Sequence, residues 1–435
     1  MASTDTLLIY GSYGYTGDLV VQRALGAESG PGAATPEEAD GAGESAGVGG
    51  IDAEVVLAGR TPERLEEQAV EYDCPARAFT LEHSGAVERN LEGVDAVLNC
   101  AGPFVRTADP LVDACLATGT DYLDITGEID VFESLATRDA EAEGAGATLL
   151  PGVGFDVVPT DCLAAHLADA LPDATRLAVG FQAAGSVSPG TLRTAVESIG
   201  EGGAVRREGR ITGVPADYRT PEIDFGRGPT RAVTIPWGDV ATAYRSTGVP
   251  NVEVYAAVPD RAIGVLRATD RLAPLLAREW VRGALSAIVD RTVIGPDPEE
   301  RERGAAYVWG EITDGEATYE ARLTTPEPYA LTALTAVESA RRALAGDAPD
   351  GYRTPSTAFG ADYVTEFAGV ERADARSVDA RPPSRSASAP TGPEISNTAA
   401  GRARRRAAGG GGRSARRRRR CRRPRPPAGP PRSCW

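Results

Sequence analysis

Apolar residues along the first 150 positions follow two alternating patterns. Short apolar runs predict strands, and between them apolar residues recur every three or four positions, as in a surface helix. The predicted strands cover residues 6–10, 54–58, 76–80, 94–99, 121–125 and 146–150. The predicted helices cover residues 16–26, 61–72, 107–118 and 130–143. Because parallel strands need crossover connections, this alternation predicts an α/β fold built on a doubly wound parallel sheet.

Three further segments depart from this pattern. Residues 28–50 are rich in glycine, alanine and acidic residues, which predicts a solvated loop inserted after the first helix. Residues 151–372 mix strand, turn and helix signals, which predicts a second, mixed α/β domain. Residues 373–435 are dominated by arginine, proline, alanine and glycine. Such a composition cannot bury a core, so we expect a disordered tail.

The net charge of −16 conceals two regions of opposite sign. Residues 375–435 contain 17 arginines and two acidic residues, whereas residues 1–374 contain 29 arginines and 60 acidic residues. The acidic body favours adaptation to high salt, the alternative being an acidic surface for a basic partner. The tail is either the out-of-frame translation of a GC-rich gene or a basic arm for nucleic acid or an acidic partner. No nucleic-acid binding is expected of the folded body.

Missing residue types exclude several mechanisms. The chain contains no lysine, which excludes a YxxxK pair, a lysine Schiff base and a P-loop. Two isolated histidines and no CxxC pair indicate that there is no metal site. No apolar run is long enough to span a membrane and no secretory signal is visible, so we expect a cytoplasmic protein.

The segment GSYGYTG, residues 11–17, follows the first predicted strand and opens the first predicted helix. In this context the first glycine permits a tight turn, the second lets the backbone approach a pyrophosphate, and the third lets the helix lie near the strand. The N–H groups of the turn then point at an anion, and the helix dipole adds a favourable field. A bend without ligand is the alternative. The predicted cofactor-binding residues of the turn are Gly11, Ser12, Gly14, Tyr15, Thr16 and Gly17.

The second predicted strand ends in VVLAGR, whose last residue is Arg60. In doubly wound folds the residue at this point, about 20 positions after the glycines, meets the adenosine ribose. Arg60 lies 43 positions after Gly17, and 23 of these belong to the insertion, so it falls at the expected place. An arginine here suits a 2′-phosphate, which predicts NADP(H) as the cofactor. A surface arginine capping the next helix is the alternative.

The fourth predicted strand ends in AVLNCAGPF, at the sheet edge where ligands bind in such folds. The small residues Ala101, Gly102 and Pro103 leave space for a nicotinamide ribose, or serve only to start a loop.

These motifs together resemble the saccharopine dehydrogenase-like NADP-binding family, and most of all its trans-acting enoyl reductase branch. The likeness spans about residues 5–372, with its motifs in order. It rests on GSYGYTG, VVLAGR, NCAGPF, GTDYLDITGE and LLPGVGFDVVPTD, and continues through SPGTLRTAVE, VRREG, PWGDVATAYRSTGVPN and GYRTPSTAFGADYV.

The resemblance implies a Rossmann domain, followed by a mixed α/β domain that shapes the substrate site and can form a homodimer. A helix near residues 329–345 is expected to return to the first domain. The resemblance also implies an NADPH-dependent oxidoreductase that reduces a C=C or C=N bond of a small or lipid-like substrate. The implied boundaries are 1–150 for the Rossmann domain, 151–328 for the substrate domain, 329–372 for the returning segment and 373–435 for the tail.

Hydride transfer to a double bond leaves an anion that needs a proton or a hydrogen-bond donor. The candidates for this role are Tyr122, Asp156 and Tyr244, and further candidates are Asp124, Glu128 and Asp161. Each has a structural alternative, since the acidic residues could cap helices and Tyr122 could simply pack within its strand.

Two other functions remain open at the level of sequence. A saccharopine-type amino-acid dehydrogenase would need arginines for the carboxylates of its substrate, which Arg193, Arg206, Arg207 and Arg245 could supply. A non-catalytic module that binds NADP as a sensor, or binds a partner, would need the glycine turn alone.

Overall fold

The computed structural model describes residues 5–26, 50–183, 202–215, 218–259 and 295–379. Residues 1–395 form one compact unit, and a second unit, Ser396–Trp435, lies wholly outside the described residues. Most of the predicted inserted loop, the SPGTLRTAVE motif with Arg193, and nearly all of the predicted tail also lie outside them.

The first sheet contains seven strands, all parallel. With strands numbered in chain order, they are β1 (Thr6–Tyr10), β2 (Glu54–Gly59), β3 (Ala76–Ala78), β4 (Ala96–Asn99), β5 (Asp121–Asp124), β6 (Thr148–Leu150) and β15 (Gly351–Tyr352). Their spatial order is β15-β6-β5-β4-β1-β2-β3. Strand β1 is buried on both faces, as a central parallel strand requires. The predicted doubly wound sheet is confirmed, with strand β15 added at one edge.

Outside the gap at residues 27–49, six helices connect the first six strands or cover their faces. They are α1 (Tyr15–Ala24), α2 (Pro62–Tyr72), α3 (Ser84–Asn90), α4 (Phe104–Thr118), α5 (Ile129–Ala136) and α6 (Asp139–Ala145). The single helix predicted over 130–143 was wrong, because the chain breaks at Arg138, whose guanidinium binds Asp113 at 2.6 Å and Glu141 at 2.9 Å. Helix α3 was not predicted, because it is only seven residues long and buries only Val87.

The second sheet is mixed, and ten of its strands lie within the part of the chain that the structure describes. They are β7 (Arg176–Ala183), β8 (Gly203–Arg207), β9 (Arg210–Val214), β10 (Glu222–Asp224), β11 (Pro229–Thr234), β12 (Val252–Ala257), β13 (Ala305–Thr313), β14 (Thr318–Pro326), β16 (Glu371–Arg372) and β17 (Arg376–Ser377). Only the β7–β12 pair is parallel among the described pairs of this sheet. The remaining helices of the described residues are α7 (Val158–Ala170), α8 (Asp239–Thr247), α9 (Pro298–Arg303), α10 (Pro328–Leu344) and α11 (Pro355–Phe359). The predicted second α/β layer is therefore present.

Helix α10 joins the two sheets. Its small residues Ala336 and Ala340 lie in the same apolar cluster as Leu7 of the first sheet. One turn earlier, Leu331 belongs to the cluster that covers the second sheet. The Thr335 hydroxyl donates to the Val153 carbonyl at 2.7 Å, between these two contacts. A helix dense in alanine and threonine can approach both sheets closely, so α10 packs against both of them.

A buried ion pair also connects the layers. The side chain of Arg206 on β8 is 3% exposed and donates to Glu133 of α5 at 2.6 Å. The same guanidinium donates to the carbonyls of Val240 and Gly209, each at 2.7 Å. Every side of this cation is therefore bonded within the protein, so Arg206 fits a structural role better than the carboxylate-binding role considered above.

We expect Arg206→Met to lower the free energy of unfolding by about 3–5 kcal/mol, because it leaves the Glu133 carboxylate buried without its cation. Arg341→Met is the matched control. Its ion pair with Glu338 is half exposed on the arginine side, so the loss should be about 0–1 kcal/mol. Urea unfolding measures both, and equal losses in the two variants would show that the buried pair has no special weight.

Candidate cofactor and active site

The glycine turn packs so tightly that two of its positions exclude any side chain. Gly11 has a φ of +84°, and a Cβ there would lie 2.8 Å from the Cβ of Ala101. A Cβ on Gly17 would lie 2.2 Å from the carbonyl oxygen of Gly11. Helix α1 therefore starts directly against the turn, and the turn lies against the loop after β4. The structure thus brings Gly11 and Ala101 together at one end of the sheet.

The start of helix α1 is suited to bind an anion. Gly14 is its N-cap residue, and none of the described side chains caps this helix end. The N–H groups of Tyr15 and Thr16 belong to the first turn of α1, where N–H groups have no partner within the helix, and this turn remains the predicted place for a pyrophosphate. This arrangement fits a dinucleotide, because glycines let the backbone approach a pyrophosphate closely.

The side chains of two predicted turn residues have other partners. The Ser12 hydroxyl is buried and donates to Gln68 of α2 at 2.7 Å. The Tyr15 hydroxyl donates to the carbonyl of Pro296 at 2.6 Å and accepts from Arg301 at 3.1 Å. These residues can therefore offer a ligand their backbone groups, while their side chains connect the turn to α2 and to the segment around α9.

Arg60 lies at the carboxyl end of β2, where its side chain is exposed. Its backbone N–H donates to the Tyr13 hydroxyl at 3.1 Å. An arginine and the first N–H groups of α2 therefore lie together at the carboxyl end of β2, where the sequence predicts that a 2′-phosphate binds.

A buried polar network supports the loops at the carboxyl edge of the sheet. The Tyr122 hydroxyl donates to Asp124 at 2.9 Å and accepts from the Asn99 amide at 3.1 Å. Asn99 also accepts from the N–H of Ala101 at 3.0 Å, and Asp124 accepts from the N–H of Gly152 at 2.9 Å. The loops that follow β4, β5 and β6 are therefore connected through three side chains.

Burial raises the pKa values of both acids in this network, that of Tyr122 well above its usual range and that of Asp124 to about 6. Tyr122 is fully buried, and its hydroxyl proton is committed to Asp124. The structure therefore places the Tyr122 candidate beneath the site, with its hydroxyl supporting the loops.

The Glu128 side chain caps helix α4 and not α5, the helix that Glu128 directly precedes. Its two carboxylate oxygens accept from the N–H groups of Phe104 and Val105, each at 2.9 Å, at the start of α4. This start directly follows Gly102 and Pro103, which are joined by a cis peptide bond. The carboxylate of Glu128 therefore holds the loop that is predicted to contact the nicotinamide ribose, and favours the dipole of α4.

Asp156 is a half-buried carboxylic acid in the loop after β6. A Cβ on Gly127 would lie 2.9 Å from its Oδ2 atom, and its carbonyl accepts from Trp237 Nε1 at 2.7 Å. Burial, and secondarily the nearby charge of Glu128, raises the pKa of Asp156 to about 7. An acid with this pKa at a ligand-binding sheet edge can hold a proton at neutral pH and release it.

We expect Glu128→Gln to lower the pKa of Asp156, because it removes the neighbouring negative charge. The pKa should stay above the ordinary 3.8, since burial is the larger cause of the shift. Carboxyl ¹³C NMR titration measures this value. Glu141→Gln, at an exposed carboxylate paired with Arg138, serves as the control and should leave the pKa of Asp156 unchanged. An unchanged value in both variants would contradict the assigned coupling.

The other candidates lie on the second layer. The Tyr244 ring packs under the guanidinium of Arg206 at 4.4 Å, near the β8–β9 turn. Asp161 is fully buried and accepts from the Ser246 hydroxyl and from the N–H of Ser356. The structure therefore brings Tyr122 and Asp156 to one sheet edge and gives Tyr244 and Asp161 partners elsewhere.

The sequence patterns did not identify Asn99 and Tyr13 as candidate site residues. Asn99 is the first residue of the NCAGPF motif, and a polar residue at the end of an apolar strand could have indicated it. Nothing in the local sequence indicated where the Tyr13 hydroxyl would point. Across the described ranges, no cluster of histidine, cysteine and acidic residues could hold a metal ion, and no helix could span a membrane.

Residues 46–150 match the family model of the saccharopine dehydrogenase NADP binding domain. A probable mitochondrial saccharopine dehydrogenase-like oxidoreductase from Arabidopsis thaliana is 30% identical over 164 residues, which are 36% of this chain and 33% of that protein. A trans-acting enoyl reductase from Mycobacterium leprae is 29% identical over 161 residues, again 36% and 33% of the two chains. The matched segment thus spans about a third of the length of these relatives.

Among solved structures, apo saccharopine dehydrogenase (L-Glu forming) from Saccharomyces cerevisiae aligns with a TM-score of 0.56 at 13% identity. The alignment covers 86% of this chain and all of that one, which shows a shared fold. The predicted resemblance to the saccharopine dehydrogenase NADP binding domain is confirmed over residues 46–150.

Proposed function

We propose that this protein is an NADPH-dependent oxidoreductase that reduces a conjugated C=C or a C=N bond, with Asp156 as the proton donor. The observation that carries the proposal is the Asp156 carboxyl, whose pKa burial raises to about 7 in the loop after β6, at the sheet edge where the cofactor is predicted to bind. The NADP-binding family match over residues 46–150 supports the cofactor.

The chain's own residues have distinct tasks in this proposal. The turn of Gly11 and Gly17 receives the pyrophosphate on backbone N–H groups, and Arg60 faces the 2′-phosphate. The loop of Ala101 is kept in place by the Asn99 network, so the nicotinamide end is oriented before substrate arrives. Bound NADPH supplies a hydride.

Asp156 completes the reduction. One hydride and one proton add across the double bond, and the proton leaves the Asp156 carboxyl as its O–H bond breaks. Burial keeps the protonated form populated near neutral pH.

The substrate in this proposal is a small or lipid-like molecule. Phe104 and Val105 open helix α4 beside the predicted nicotinamide loop, and Val105 is half exposed there. A tricarboxylate of the saccharopine type fits less well, because Arg206 is bonded on all sides and Arg207 already binds Tyr218 and lies 3.7 Å from Glu253. The relatives named as trans-acting enoyl reductases support the C=C choice.

NADPH oxidation by the full chain tests the proposal against a panel of 2-enoyl thioesters, cyclic imines and saccharopine. Turnover of an enoyl or imine substrate that Asp156→Asn abolishes is the expected result. Turnover of saccharopine alone would favour the amino-acid dehydrogenase. Tight NADPH binding with no turnover of any class would favour the non-catalytic module.

A further inference from the structure

Tyr13 lies in the glycine turn, where NADP(H) is predicted to bind. Its ring, however, lies on the end of β2, so close that a Cβ on Gly59 would be 2.6 Å from it. Its hydroxyl accepts from two backbone N–H groups at once, those of Arg60 and Thr61, each at 3.1 Å. Thr61 is the N-cap residue of α2, so these donors belong to the positive end of that helix.

Arg64 adds a second cation at the same place. Its guanidinium lies 4.5 Å from the centre of the Tyr13 ring and donates to the Tyr13 carbonyl at 2.8 Å. The two N–H groups that bond the phenol oxygen therefore lie beside an arginine that already contacts the same ring. A neutral hydroxyl is a weak partner for donors at a helix start next to a cation, and a phosphate is a stronger one.

We propose that the Tyr13 hydroxyl occupies the donors for the 2′-phosphate of NADPH, that binding displaces it, and that Arg64 then turns to the phosphate. This inference rests on the proposed use of NADPH. NADH has no 2′-phosphate and gains nothing from displacing the hydroxyl. Tyr13 and Arg64 are therefore specificity-determining residues, acting in addition to Arg60.

Titration calorimetry on the full chain, at one fixed salt concentration, tests this with NADPH and NADH. Tyr13→Phe keeps the ring but removes the acceptor oxygen, so NADPH no longer competes for the two N–H groups. We expect NADPH to bind about 10-fold more tightly to this variant, with NADH unchanged. Arg64→Gln should weaken NADPH binding about 10-fold and leave NADH unchanged. Arg89→Gln, at an exposed arginine of α3, is the control.

The NADPH affinities of Tyr13→Phe and of the wild-type protein distinguish the possible results. Weaker NADPH binding by Tyr13→Phe would make the hydroxyl a direct ligand and overturn the displacement. Unchanged binding in a folded Tyr13→Phe variant, with wild type still preferring NADPH, would overturn this inference while leaving the proposed function intact. Wild-type protein that binds neither nucleotide would overturn both.

Discussion

Gly17→Ala is expected to weaken NADPH binding about 100-fold and to destabilise the fold by about 1–3 kcal/mol. The added Cβ would lie 2.2 Å from the Gly11 carbonyl oxygen and 3.0 Å from that of Ser12. Both are backbone atoms, so no flexible side chain can move aside. Helix α1 must shift away from the turn, and its N–H groups then miss the pyrophosphate. Calorimetric titration with NADPH and urea unfolding measure the two effects.

Gly144→Ala is the matched control for that variant. Gly144 also lies inside a helix, α6, but a Cβ there meets nothing within 4 Å. Alanine is the better helix former, so this change should stabilise the protein by up to about 1 kcal/mol and leave NADPH binding unchanged. Normal NADPH affinity in Gly17→Ala would mean that the turn does not hold the cofactor.

Asp156→Asn is expected to lower kcat by about 10²–10⁴-fold while NADPH affinity stays within about twofold. The amide keeps the size of the side chain but cannot deliver the proton. In the wild type, kcat should fall as the pH rises through about 7, because the acid form is the active one. Steady-state kinetics of both proteins between pH 5 and 9 measure this. A small effect of the substitution would assign proton delivery to another group.

Asp156→Asn is expected to stabilise the folded protein, although it lowers kcat. The folded-state pKa of about 7 exceeds the ordinary 3.8, so the folded protein binds more protons than the unfolded one between these values. Stability is therefore lost as the pH rises through this window, and above it the buried charge is fully unfavourable. Asp156→Asn should raise Tm, by more at pH 8 than at pH 5. An equal Tm change at both pH values would contradict the raised pKa.

The sheet could be predicted from sequence because its signals are local. The apolar runs that became β1 and β2 each end at a glycine, Gly11 and Gly59, and Arg60 could be assigned by counting residues once the insertion was recognised. Helix α3 and the break at Arg138 could not be predicted. The break is marked by bonds from Arg138 to Asp113 on another helix, which no local pattern contains.

The site was predictable in its residues but less so in their tasks. Asp156 and Glu128 were both candidates for proton donation or capping, and only the fold shows that Glu128 caps α4, which lies earlier in the chain. Tyr122 alternates like any strand residue, and its bond to Asp124 depends on both side chains sharing one buried face of β5. Such pairings come from tertiary packing and not from spacing along the chain.

Titration of the full chain with NADPH and NADH in molar salt, alongside Arg60→Gln, tests the central claim most directly. The account predicts that NADPH binds at least about 10-fold more tightly than NADH, and that Arg60→Gln removes most of this preference. A folded wild-type protein that binds neither nucleotide, or binds both equally, would contradict it.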